Sequence, residues 1–122
     1  MHALLIDDSP ASRLPLLQAL NDYGLRVVEC HEPSRVMDLL HRRPEIRLVL
    51  VQWNVAGGAA DLVKQLRGSP VTCLRRIIMV IGEDNREAIT SGLEAGIDDY
   101  LLLPFSAAHL REKLDLLGIL AA

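Results

Sequence analysis

Five short apolar stretches set the frame for this chain: "ALLI" (3–6), "RVV" (26–28), "LVLV" (48–51), "IIMVI" (77–81) and "YLLL" (100–103). They begin about every 22–29 residues, and each interval holds a segment of helical length. The first, third and fourth stretches are continuously apolar rather than alternating. Strands of a parallel sheet covered by helices on both faces need that pattern, because neither face meets water. Regular exchange of short strands and helices implies βαβ units with right-handed crossovers. The expected architecture is therefore α/β, a five-stranded parallel sheet between two helical layers. A chain of 122 residues can bury one sizeable core, and no linker divides it, so 1–122 reads as one domain.

Helix boundaries are marked by capping chemistry. Ser9-Pro10 sets a cap before a proline at the first helical position, and Gly24 suits the end of that helix. Pro33-Ser34 opens the second helix, Gly57-Gly58 precedes the third, and Asp84-Asn85 precedes the fourth, which Gly96 closes. Ser106 caps the fifth, in "FSAAHLREKL". Pro15 fits less well, since inside a helix it removes a backbone donor; a kink or a tightened first turn is expected.

Charge and composition exclude several classes. Thirteen basic against sixteen acidic residues give a net charge of −3, which gives no reason to expect nucleic acid or an acidic membrane as the main partner. No apolar run approaches the ~20 residues of a membrane span. Strand-like sequence starts directly after Met1, so no signal peptide is expected. Cys30 and Cys73 lack paired spacing and read as free thiols of a cytoplasmic protein. His2, His31, His41 and His109 lack metal-ligand spacing. His31 follows the second strand and would approach Asp7 if the first two strands are neighbours.

Candidate chemistry collects at strand ends. "LLIDDS" (4–9) places Asp7 and Asp8 together at the carboxyl end of the first strand. In open α/β sheets ligands bind beyond that edge. Adjacent carboxylates repel unless a cation or hydrogen bonds offset the charge, and hard oxygen donors suit Mg²⁺. An acid pair favoured by a helix N-terminus explains the two residues equally well. "VLVQWNVAGG" (49–58) runs from a buried strand straight into Gln52, Trp53 and Asn54. Trp53 reads either as a partner anchor or as a half-exposed loop aromatic.

The stretches "LLIDDSPASR", "LVLVQWNVAGG", "IIMVIGEDN" and "GIDDYLLLPFSAAHLREKL" together resemble a bacterial response-regulator receiver domain over essentially the whole chain. The resemblance implies a flavodoxin-like (βα)5 fold with strand order 2-1-3-4-5. It also implies a place in two-component phosphorelay signalling. Receivers take a phosphoryl group from a histidine kinase onto an aspartate, assisted by Mg²⁺. By position, the Mg²⁺-binding acids match Asp7 and Asp8, and the metal-binding backbone carbonyl belongs to Asn54. The phosphoacceptor aspartate matches Gln52. The hydroxyl residue ending strand 4 matches Ile81, followed by the small residue Gly82. The lysine before the cis-proline matches Leu103, with Pro104 next, and the switch aromatic matches Tyr100.

Three chemical positions thus change together. Gln52 cannot form an acyl phosphate, Ile81 has no hydroxyl for a phosphoryl oxygen, and Leu103 carries no charge to neutralise one. Replacement of one Asp and one Lys leaves the site's formal charge at −2, as in the family pattern. Glu83 and Asp84 lie past strand 4 and are not placed to rescue transfer. The expectation is a pseudo-receiver that is not an enzyme, has no cofactor beyond weak Mg²⁺, and works through protein contacts. Its partner would be another protein or its own output domain, with 1–122 as the N-terminal part of a longer chain. Two alternatives stand beside it: a divergent receiver that still binds Mg²⁺ and a phosphoryl group, and a flavodoxin-like domain sensing a small molecule in the vacated pocket, which Trp53, Gly82 and Pro104 would border. Resemblance to the helix 4–strand 5–helix 5 face of receivers also suggests a homodimer using Tyr100, Asp98, Asp99, Arg86 and Arg111. On helix 5, Leu110, Leu114 and Leu117 should face the sheet, with Leu116, Ile119 and Leu120 widening the stripe. That width reads as a broad buried face or as a contact surface.

Overall fold

The computed structural model describes residues 1–7, 10–82 and 85–120, with residues 10–12 described by backbone only. Among these residues it contains strands β1 (His2–Ile6), β2 (Arg26–Cys30), β3 (Ile46–Gln52), β4 (Arg76–Gly82) and β5 (Asp99–Leu103). Helices α1 (Pro10–Asp22), α2 (Val36–Arg42), α3 (Ala59–Gly68), α4 (Arg86–Ala95) and α5 (Ala107–Leu116) alternate with them. The strands form one parallel sheet in the order β2-β1-β3-β4-β5. Each strand contains the apolar run that announced it and extends one or two residues beyond it at one end or both. Apart from the buried Ile46, those extensions are polar or small residues that only a paired neighbour can place in the ladder.

The period-2 alternation of the strands sorts side chains into two cores. Leu4, Ile6, Val49, Val51, Ile77, Met79 and Ile81 pack beneath α2, α3 and α4 with Val36, Leu40, Val63 and Leu66. Ala3, Leu5, Leu48, Leu50, Ile78, Val80 and Leu101 pack beneath α1 and α5 with Leu16, Leu20, Leu110 and Leu114. Every residue of β3 from Leu48 to Val51 is fully buried, as a central strand covered on both faces must be. Each such side chain contributes roughly 1.5–3 kcal/mol relative to exposure.

Local chemistry explains the helix ends. Asn85 accepts from the Ala88 amide at 3.1 Å and Ser106 accepts from the His109 amide at 3.0 Å, so both serve as N-caps. Pro33-Ser34 opens a single 3-10 turn (Pro33–Arg35) that leads into α2. Gly96 ends α4 at φ 116°, a conformation costly for any side chain. A Cβ there would also meet Arg67 Cγ at 2.9 Å. The first helix runs through Pro15, whose ring sits on the exposed side.

One expectation for helix 5 is corrected. Leu110 and Leu114 are fully buried and Ile119 nearly so, but Leu116 is 76% exposed. At two residues beyond Leu114 it turns about 200° around the helix axis and faces away from the sheet. Leu117 and Leu120 pack at the edge of the α1/α5 core.

Candidate functional site

Parallel strands and crossover helices leave one edge of the sheet, the carboxyl edge, ringed by loops. Asp7 follows β1, Gln52 ends β3, Gly82 ends β4 and Leu103 ends β5. By alternation, Asp7, Gln52 and Leu103 lean toward the α1/α5 side, and Ile81 toward α4. The structure therefore brings together four of the positions read from sequence. Asp8 lies outside the described residues, as do Ser9, Glu83 and Asp84.

Asp7 is 1% exposed, so its carboxylate sits in the domain rather than in solvent. Its amide donates to the Cys30 carbonyl at 3.3 Å. Its carbonyl lies 2.9 Å from His31 Nδ1, so His31 reaches the Asp7 backbone through the β1–β2 pairing. Arg13 Nη1 lies 3.0 Å from the same ring nitrogen, and Arg13 Nε pairs with Glu29 at 3.0 Å. One nitrogen cannot serve both neighbours: protonated Nδ1 donates to Asp7, and bare Nδ1 accepts from Arg13. Sequence reasoning did not single out Arg13. Its signal was available, a basic residue on the first turns of a helix that follows an acid pair.

Gln52 is 6% exposed and pairs in register with Val80 of β4. The Val55 amide donates to the Gln52 carbonyl at 3.3 Å, turning the chain away from the sheet, and the Trp53 amide donates to Val80 at 2.9 Å. Trp53 is half-buried, with its indole Nε1 3.5 Å from where a Cβ on Gly82 would stand. The indole edge thus stands at van der Waals distance from position 82. A shallow groove of about 250 Å³ opens beside it, between α3 and α4, lined by Trp53, Ala59, Met79, Asn85, Ala88 and Ser91 among others. Asn54 is exposed. The Leu103–Pro104 peptide is cis.

One carboxylate that the sequence assigned to the metal, Asp8, lies outside the described residues, so the described donor set is a partial one. Magnesium takes charged, hard oxygen ligands in near-octahedral geometry. Among the described residues, no group of three His, Cys, Asp or Glu side chains could hold a metal ion. At the strand ends Asp7 supplies a carboxylate, whereas Gln52 offers only a neutral amide oxygen.

Ile81 is fully buried in the core against which Tyr100 packs. Tyr100 is half-buried beneath Lys113, whose ammonium stands 4.9 Å from the ring centroid. Lys113 also pairs with Asp99 at 2.8 Å, with both side chains about a quarter exposed. Asp98 accepts from Arg67 at 2.8 Å and from the Ile77 amide at 2.7 Å, and lies 3.6 Å from Arg76. Both acids read from sequence as interface residues thus already hold partners inside the chain. Arg86 and Arg111 are exposed, on α4 and α5. Lys113 and Arg67 were missed because their importance is a matter of which carboxylate the fold delivers to them.

A parallel sheet in the order 2-1-3-4-5 flanked by helices is the flavodoxin-like fold, the class in which receiver domains fall. Sequence comparison agrees. The chain matches the response regulator receiver domain family over residues 3–115 and belongs to that family. It is 31% identical over 121 residues to the chemotaxis protein CheY homolog of Campylobacter jejuni, covering 97% of this chain and 93% of that protein. In fold it is similar to a response-regulator structure from Chloroflexus aurantiacus, with a TM-score of 0.89 at 24% identity over 99% and 98% of the two chains. It is also similar to a two-component response regulator/GGDEF domain protein, with a TM-score of 0.86 and 28% identity, covering 98% of this chain and 50% of that one.

Proposed function

We propose that this chain is an atypical receiver that is not phosphorylated at the usual strand end and acts as a phosphorylation-independent interaction module. One observation carries the reading: the residue that ends β3, at the centre of the carboxyl edge, is the buried amide Gln52. Acyl phosphate formation needs a carboxylate nucleophile, and an amide has none to offer. Ile81 and Leu103 support the reading, since neither can hold or neutralise a phosphoryl oxygen. The domain is read as a signalling unit rather than an enzyme, with no cofactor of its own beyond weak Mg²⁺ and a cytoplasmic location. Among the described residues no helix is long and apolar enough to cross a membrane.

Its partner is another protein or an output domain on the same chain, the arrangement named in the GGDEF relative. Self-association through α4, β5 and α5 is part of the proposal. Each of these elements exposes a leucine, with Leu93 at 52%, Leu102 at 40% and Leu116 at 76%. With Asp98 and Asp99 engaged internally, Arg86, Arg111 and these leucines are the groups left to meet a second copy.

The test is incubation with a small acyl-phosphate donor and Mg²⁺, followed by intact-mass measurement. No phosphoryl adduct is expected. A stoichiometric, base-labile phosphoryl group on any aspartate would overturn the reading.

A further inference from the structure

We propose that a groove at the amino ends of the strands, opposite the Gln52 edge, is a docking site for an acidic, leucine-bearing segment of a partner protein. The groove has a volume of about 590 Å³ and lies between the start of β3, the loop leading into β4 and the turn after α5. Arg47, Arg75 and Arg76 line it with Val71, Leu74 and Leu117, and no Asp or Glu is among its lining residues.

Among the described residues the charge there is only partly offset. Arg75 donates to the backbone carbonyls of Ile46 and Leu40, both at 3.0 Å, and to that of Val71. Carbonyls fix the guanidinium in place without neutralising it. Arg76 reaches Asp98 only at 3.6 Å, and that carboxylate is already bound by Arg67 at 2.8 Å. Arg47 stands exposed at the start of β3. On a chain of net charge −3, this is a local reversal of sign.

The apolar component decides what kind of anion fits. Leu74 is 88% exposed and Val71 is 51% exposed, both in the segment between α3 and β4. A nucleic acid would use the arginines and leave these side chains in water. A protein segment carrying carboxylates beside aliphatic side chains satisfies both components, with the charges steering encounter and the apolar groups slowing release. The inference is independent of whether Gln52 accepts a phosphoryl group, since the two edges share no residue.

The experiment is an amide NMR titration of the intact chain with a short synthetic amphipathic peptide of leucine and glutamate. Its lysine-for-glutamate counterpart and a short single-stranded RNA serve as the other arms. The acidic peptide is expected to move the Val71, Leu74 and Leu117 amides and to leave the Trp53 indole signal in place. Arg47→Glu and Leu74→Ser, both at exposed positions, should each weaken binding by up to about tenfold, and added salt should weaken it further. Absence of shifts with the acidic peptide, equal binding of the lysine peptide, shifts confined to the Gln52 edge, or binding of the RNA alone would each overturn the proposal.

Discussion

Replacing Arg67 by alanine should destabilise the domain by about 3 kcal/mol, a large fraction of the ~5–15 kcal/mol typical of a domain. Arg67 lies in the last turn of α3 and donates to four acceptors: the carbonyls of Gly96 at 2.8 Å, Cys73 at 2.7 Å and Arg75 at 2.6 Å, and Asp98 Oδ2 at 2.8 Å. A hydrogen bond with one charged partner is worth about 1.5–3 kcal/mol, but bonds made by one side chain do not add. Side-chain exposures of 23% for Arg67 and 21% for Asp98 admit some water, which places the pair between an exposed ion pair worth ~0–1 kcal/mol and a buried one that costs ~3–5 kcal/mol to break. Asp98 keeps the Ile77 amide after the change, so its carboxylate is not abandoned. The three carbonyls lose their donor, and the left-handed Gly96 turn loses the arginine stem packed against it. Urea unfolding followed by the Trp53 signal measures the loss. Arg67→Lys should recover about half, since an ammonium can meet Asp98 but cannot span all four acceptors. Asp98→Asn should cost about 1–2 kcal/mol in the same assay. If Asp98 served only a contact between two copies, Asp98→Asn would alter mass in solution and leave the urea midpoint where it was. A loss below ~1 kcal/mol for Arg67→Ala at unchanged urea slope would refute the reasoning.

Three further outcomes are expected. Mg²⁺ should bind the wild-type chain roughly tenfold or more weakly than it binds the Gln52→Asp variant, because one more charged oxygen joins Asp7; fluorescence of the single Trp53 reports this, and equal affinity in the two proteins contradicts it. Gln52→Asp alone should not produce phosphorylation-dependent shifts around Tyr100, whereas the triple change Gln52→Asp, Ile81→Thr, Leu103→Lys is the variant expected to couple the two; such shifts in the single variant would show that the three replacements do not act as one. Light scattering at high concentration should show self-association that Leu93→Ser with Leu116→Ser diminishes, and a monomeric mass throughout would count against the α4–β5–α5 contact.

The strands, their parallel arrangement and most helix ends were legible in the sequence for a local reason. Burial on both faces writes continuous apolar runs such as "LVLV" and "IIMVI", and caps such as Asn85 and Ser106 act within three residues of themselves. The place of Gln52 at the end of β3 was readable for the same reason: one residue at the end of one recognisable run. Tertiary structure alone decided the rest. Asp98 and Asp99 look alike in "GIDDY", yet strand alternation sends one to Arg67 of α3 and the other to Lys113 of α5. The approach of His31 to Asp7 was readable only on condition that β1 and β2 pair; the fold supplies that pairing and sets the contact on the Asp7 carbonyl. Leu116 faces solvent although its spacing from Leu120 fits a stripe. The arginines of the amino-end groove come from two strand starts and a loop, and only the crossovers bring them to one edge. Pattern along the chain records what a residue's own element needs; which charge meets which depends on distances that close only when the sheet has formed.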